Sequence, residues 1–89
     1  MLNTIFTGQF RKDYKSCKKR NYNMLLLQSV IDTLAIPEQL EAKYRTHTLS
    51  GCYADKKECH ILPDWLLIYK VENDNLVLYR TGTHSDLFS

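Results

Sequence analysis

Eighty-nine residues, 44% of them hydrophobic and 25% charged, suffice for one modest core and an ordinary globular surface, so residues 1–89 are expected to form a single domain. The formal net charge of +2 conceals a gradient, because Arg11, Lys12, Lys15, Lys18, Lys19 and Arg20 crowd one short stretch opposed there only by Asp13. Such a run suits a polyanion or an acidic protein partner, and its plainer reading is a solvated helix face. Cys17, Cys52 and Cys59 are odd in number and form no C-x-x-C pair, which argues against a secreted disulfide framework and for a reducing cytoplasm. The start of the chain lacks a signal peptide's basic region and apolar core, and the most apolar stretch, Met24 to Ile36, is too short to span a bilayer and contains Gln28 and Asp32. A cytoplasmic protein with no membrane segment is expected.

Leu2 to Phe6 reads as a short strand, and Thr7 as the N-cap of a helix running to about Arg20. Phe10, Tyr14 and Cys17 recur at helical spacing and are expected to face the core, while Arg11, Lys15 and Lys18 project elsewhere. After the polar break Asn21-Tyr22-Asn23, a second helix buries Leu27, Val30, Ile31 and Leu34, and Pro37 ends it. Glu38 to Arg45 reads as a connection. From there the pattern turns extended: Thr46 to Leu49, a turn or bulge at Gly51, then Glu58 to Leu62 stopped by Pro63-Asp64. Trp65 to Val71 is almost continuously apolar, as a strand covered on both faces should be. The polar turn Glu72-Asn73-Asp74-Asn75 leads to its hairpin partner, Leu76 to Thr81. The order predicts an α+β fold with two N-terminal helices packed on an antiparallel-rich β-sheet.

The chemistry concentrates in the last third, where His60, Asp64, Arg80 and His84 surround the two apolar runs. Metal-free RNA cleavage needs a base for the 2′-hydroxyl, an acid for the departing 5′-oxygen and a cation beside the crowded phosphate. Histidine, carboxylate and arginine supply all three. His60 and Asp64 bracket Ile61-Leu62-Pro63, Arg80 and His84 lie at and beyond the end of the following strand, and a hairpin would carry both pairs to one edge of the sheet. The competing interpretation is a set of isolated surface or hydrogen-bonding histidines. Zinc held by Cys52, Cys59, His60, Asp64 or His84 is the rival chemistry, but Cys52 and Cys59 are too far apart, and Cys59 and His60 too close, for the usual structural spacings. No metal and no cofactor are expected, and a buried cysteine behaves as a small hydrophobe rather than a nucleophile. Trp65, Tyr69, Tyr79 and Phe88 are candidates for stacking on bases. Tyr69 and Tyr79 are better assigned to strand packing, and Phe88 is either a C-terminal anchor or a stacking platform.

The run Glu58-Cys59-His60-Ile61-Leu62-Pro63-Asp64-Trp65-Leu66-Leu67-Ile68-Tyr69, followed by Arg80-Thr81-Gly82-Thr83-His84-Ser85-Asp86-Leu87-Phe88, resembles the YafQ-type mRNA interferase toxins of the RelE/ParE superfamily. Upstream, His47-Thr48-Leu49-Ser50-Gly51-Cys52-Tyr53 looks like that family's H-x-L-x-G-x-[WY] segment, and the tail pattern R-x-G-[ST]-H-x-x-L-F is its most specific feature. The resemblance covers essentially the whole chain. It implies a RelE-like domain and the toxin of a type II toxin–antitoxin system, an endoribonuclease that cuts mRNA in the ribosomal A site and so inhibits translation. It also implies a cognate antitoxin that silences the toxin in a hetero-oligomer. By the same resemblance, the acid–base residues fall on His47, His60, Asp64 and His84, the phosphate-stabilising arginine on Arg80, and the terminal aromatic that orients substrate on Phe88. His84 is then the general acid, and Asp64, His60 or His47 the base. Trp65, with Lys15, Lys18 and Lys19, is the remaining expected contact to RNA.

Two positions depart from the family pattern. Thr46 stands where Asp often precedes the first histidine, and Lys57 stands where Arg is usual, which keeps the charge but loses the bidentate fork. Two other functions stay open on the residues: a gyrase-inhibiting toxin of the ParE-like branch, and a catalytically inactive module that only docks a partner protein. The three histidines together with the G-T-H-x-x-L-F tail disfavour the first, and retention of every catalytic residue type disfavours the second.

Overall fold

The computed structural model describes residues 2–36 and 56–88, together with the backbone of 47–48. Within them the chain forms β1 (Asn3–Phe6), α1 (Gly8–Lys19), α2 (Met24–Leu34), β2 (His47–Thr48), β3 (Lys57–Leu62), β4 (Trp65–Glu72), β5 (Asn75–Gly82) and α3 (His84–Phe88). Pro37, the connection from Glu38 to Arg45, Thr46, Gly51 and Cys52 lie outside the described residues.

Local chemistry sets the boundaries. Thr7 caps α1, its hydroxyl oxygen accepting the Phe10 N–H at 3.0 Å, while its own hydroxyl donates to the Tyr79 carbonyl at 3.1 Å and ties the strand-to-helix corner to β5. At the other end Asn21 takes a left-handed φ of 63°, and the Asn21 and Tyr22 amides donate back to Lys18 and Cys17. Asparagine tolerates that conformation and closes the helix as glycine would. Asn23 then caps α2, its side-chain oxygen accepting from the Leu25 amide.

The strands form one sheet in the order β1-β5-β4-β3-β2, with β1 parallel to β5 and the other neighbours antiparallel. Phe10 and Cys17 of α1 and Leu27, Val30, Ile31 and Leu34 of α2 pack on one face, against Cys59, Ile61, Leu67, Tyr69, Leu76 and Leu78. Leu66 and Ile68 point to the other face and meet Leu87 of α3 and Tyr79. That two-sided cover explains why Trp65 to Tyr69 is apolar without alternation and buried throughout. Each fully buried Leu, Ile, Val or Phe side chain contributes about 1.5–3 kcal/mol by leaving water. Tyr14 departs from expectation: it is 36% exposed, its ring leaning on Phe10 at the margin of the helix pair instead of entering the core.

Two irregularities in β5 matter for the site. The register passes from Ile68↔Arg80 to Tyr69↔Leu78, so Tyr79 is an extra residue, a bulge that re-aims its neighbours. In addition, β1 covers β5 only as far as Leu78, after which the edge of β5 faces α1. Among the described residues no helix is long and apolar enough to cross a membrane.

Candidate active site

The catalytic candidates follow from the register. Across β3, β4 and β5, Glu58, Ile68 and Arg80 form one lateral row, and His60, Leu66 and Gly82 the next. Opposed residues share a face, and two strand spacings separate β3 from β5 by about 10 Å. In the backbone register His60 and Arg80 therefore flank the Leu66–Ile68 floor, although the Arg80 guanidinium turns round the open edge of β5 to α1. β4 is an interior strand and β5 is uncovered by β1 beyond Leu78, so His60 and Arg80 lie toward one end of neighbouring strands, Arg80 where the edge of β5 is open.

Arg80 is fixed by α1. Its Nε–H donates to Asp13 Oδ2 at 2.7 Å and an Nη donates to Asp13 Oδ1 at 3.3 Å, while the same carboxylate accepts the Thr81 amide at 3.2 Å. Asp13 thus satisfies a backbone donor of β5 just where β1 has ended, and it orients the guanidinium with a two-pronged contact. The Arg80 side chain is 24% exposed and that of Asp13 only 12%.

His60 has a carboxylate of its own: Nε2 lies 3.1 Å from Glu58 Oε1. A carboxylate only accepts, so in this pair Nε2 carries the proton. The two residues alternate correctly for one face of β3, whereas Cys59 between them points into the core. Cys59 and His60 therefore cannot hold the same metal ion, and burial raises the Cys59 thiol to about 12, which keeps it protonated. Among the described residues no group of three or more His, Cys, Asp and Glu side chains is placed to hold a metal.

His84 opens α3, and its ring packs on Phe88 one turn later, with centroids 4.7 Å apart. The tail after Gly82 is thus a short helix. Its sequence signal is the capping pattern Thr83-x-x-Asp86, in which the Asp86 carboxylate accepts the Thr83 amide at 2.9 Å and the Thr83 hydroxyl accepts the Asp86 amide at 3.1 Å. Arg20 at the end of α1 reaches Asp86 Oδ2 at 2.6 Å. That guanidinium, with the Thr83 hydrogen bonds, lowers the Asp86 carboxyl to about 2.

The remaining candidates separate. Asp64 is exposed in the turn between β3 and β4 and lines a cavity of about 340 Å³ with Asn21, Tyr22, Asn23, Leu62 and Trp65. His47 is placed only as backbone, opposite Glu58 in β2. Lys18 and Lys19 lie exposed in the last turn of α1, and Lys15 lines a different cavity beside Phe6, Phe10 and Tyr14. Trp65 is a correction. It is 2% exposed, its Nε1–H donates to Thr81 Oγ1 at 2.9 Å, and its ring meets Tyr22 edge-on at 4.9 Å. A ring so enclosed and so bonded is a core residue, not a platform for a base. Phe88 is 39% exposed. Glu58 and Asp13 were missed from the sequence, although Glu58-x-His60 has strand-face spacing and Asp13 is the single acid within the basic run.

Comparison with known proteins bears on the family and the fold. The family described as the bacterial toxin of type II toxin–antitoxin systems, YafQ, matches residues 2–89. The mRNA interferase toxin YafQ of Escherichia coli K12 is 38% identical over 88 residues, covering 93% of this chain and 91% of that one. Among solved structures, a copper-bound mutant toxin from Helicobacter pylori superposes with a TM-score of 0.91 at 38% identity, covering 99% of this chain and all of that one. The E. coli DinJ–YafQ complex matches with a TM-score of 0.90 at 36% identity over the full length of both chains. With a family match across nearly every residue and the same fold in its relatives, the chain belongs to the YafQ family of bacterial type II toxins.

Proposed function

We propose that the protein is an mRNA interferase acting as one toxin domain in the cytoplasm, cutting mRNA in the ribosomal A site by acid–base catalysis. A base takes the proton of the 2′-hydroxyl, the O2′–P bond forms as the P–O5′ bond breaks, and an acid returns a proton to O5′. His84 is the acid. His60, with Glu58 fixing its tautomer, is the better-held base, with Asp64 and His47 as the alternatives. Arg80 balances charge developing on the phosphate, and the partly exposed Phe88 ring stacks on a base. The lysines Lys15, Lys18 and Lys19 attract ribosomal RNA and substrate. The name of the E. coli relative supports the activity, and the DinJ–YafQ complex supports a cognate antitoxin as partner in a hetero-oligomer.

The observation that carries this reading is Arg80, two-pronged on Asp13 at the end of β5, in the strand that leads straight into His84. The test is His84→Ala. Cleavage on programmed ribosomes, mapped at mRNA 5′ ends, should fall by roughly 10²-fold or more, the usual worth of a positioned acid, while the unfolding midpoint barely moves. Near-parent cutting by the folded variant would move the acid elsewhere. Because a relative from Helicobacter pylori is metal-bound, the metal-free mechanism has its own check. Elemental analysis of purified active protein should find no stoichiometric zinc or copper, and a tightly held equivalent whose removal abolishes cleavage would overturn it.

A further inference from the structure

A five-residue helix does not hold itself in water, since short helices lack the bonds to offset their nucleation cost. The position of α3, and with it His84 and Phe88, must come from tertiary contacts. Leu87 supplies one anchor by packing on Leu66 and Ile68, and it is 6% exposed. Apolar contact fixes where a short helix sits but, being non-directional, defines its rotation less closely than a hydrogen-bonded contact does. The second anchor is Asp86. Its Oδ2 takes Arg20 Nη1 at 2.6 Å, its Oδ1 takes Nη2 at 3.3 Å, and Oδ2 also accepts the Thr83 amide at 2.9 Å. A fork contact restricts direction as well as distance.

Gly82 makes room for this arrangement. A Cβ there would lie 2.9 Å from Asp86 Oδ2 and 3.1 Å from Asp86 Cβ, and φ is 156°. Arg20 is held in turn on its other side. Its guanidinium carbon lies 6.0 Å from the Tyr22 ring centre, Tyr22 packs edge-on against Trp65, and Trp65 adjoins Asp64 in the β3–β4 turn. One guanidinium therefore connects the helix carrying one proton-transfer candidate with the turn carrying another.

We propose that Arg20 is a positioning residue for His84: its fork contact with Asp86, backed by Tyr22, fixes the orientation of α3 relative to the β3–β4 turn. The inference rests on the reading of His84 as general acid. Arg20 does not touch the reacting atoms in this role, and at 45% side-chain exposure it adds little to global stability, since exposed ion pairs are worth little. Its contribution is to the geometry that proton transfer requires, where misplacement by an ångström is costly.

The experiment compares parent, Arg20→Ala, Arg20→Lys and His84→Ala proteins in ribosome-dependent cleavage, with NMR of the His84 ring protons in the free protein. Arg20→Ala is expected to lower kcat by roughly tenfold with KM within about twofold, because an interaction needed for orientation is lost without loss of binding. The unfolding midpoint should stay near the parent value. Arg20→Lys, which keeps the charge but not the fork, should restore part of kcat. The His84 resonances, displaced by the Phe88 ring in the parent, should move toward those of an unstructured histidine in Arg20→Ala and return partway in Arg20→Lys. A raised KM at unchanged kcat would make Arg20 an RNA contact and overturn the proposal, as would His84 resonances unmoved by Arg20→Ala. Near-parent cleavage by His84→Ala would instead refute the acid assignment, and the resonances would still decide whether Arg20 orients α3.

Discussion

Replacing Arg80 with Ala removes the cation proposed to stabilise the phosphate and, at the same stroke, the partner of a nearly buried carboxylate. The Asp13 side chain is 12% exposed and accepts N–H groups twice from Arg80, once from the Thr81 amide and once from the Gln9 side-chain amide at 3.2 Å. Loss of the guanidinium leaves a charge with only neutral donors, the Thr81 amide and the Gln9 side-chain amide. Hydrogen bonds to charged groups are worth about 1.5–3 kcal/mol, and orphaning a fully buried charge costs about 3–5. Residual solvent access at Asp13 favours the lower range, so Arg80→Ala should destabilise by about 2 kcal/mol, or roughly 10 °C in unfolding midpoint for a domain of this size. Asp13→Asn keeps an oxygen for the Thr81 amide while removing the charge that needs a partner. The double variant should therefore be more stable than the two single losses imply, with a coupling of about 1–2 kcal/mol in urea unfolding. Cleavage should behave otherwise. Arg80→Ala should lose about 10²–10³-fold, and the double variant should stay at that level, because restored packing does not replace a cation at the phosphate. Free energies that add to within about 0.5 kcal/mol would show that the pair is not coupled, and recovery of cleavage in the double variant would make Arg80 structural only.

Gly82→Ala should shake α3 loose, lowering stability by about 1–3 kcal/mol and cutting activity more than stability explains, because the new Cβ meets Asp86 at 2.9 Å. Heteronuclear NMR would show disordered resonances confined to the residues after Gly82, and an unchanged spectrum would refute the close approach. The Asp86 carboxyl, ordinarily at 3.8, is lowered to about 2 in the folded protein, chiefly by Arg20. A depressed carboxyl stabilises the fold above its unfolded value and loses that contribution as pH falls through the folded one, so α3 should loosen between about pH 4 and pH 2. Amide shifts of Thr83 and Asp86 followed across that window would report it, and a transition centred near 3.8 would mean that Arg20 is not engaged in solution.

Much of the fold was readable because its causes are local. The Thr7 cap, the polar break Asn21-Tyr22-Asn23, the Leu27-Val30-Ile31-Leu34 stripe, the Pro63-Asp64 turn and the unbroken apolar run from Trp65 each encode their element through side-chain type and spacing within a few residues. The tail pattern from Arg80 to Phe88 likewise pointed to the family. What the sequence left open was decided by contacts between residues far apart in the chain. Tyr14 keeps the helical spacing of a core residue yet lies at the rim, because its exposure depends on where α1 crosses the sheet and not on α1 alone. Trp65 has the composition of a base-stacking residue, but the Thr81 hydroxyl from the next strand and the Tyr22 ring from the end of α1 enclose it. The arginines show the same division. Their chemistry is legible one residue at a time, whereas the pairings of Arg80 with Asp13 and Arg20 with Asp86 span 67 and 66 positions, and exist only because β5 leaves its edge open beside α1 once β1 has ended.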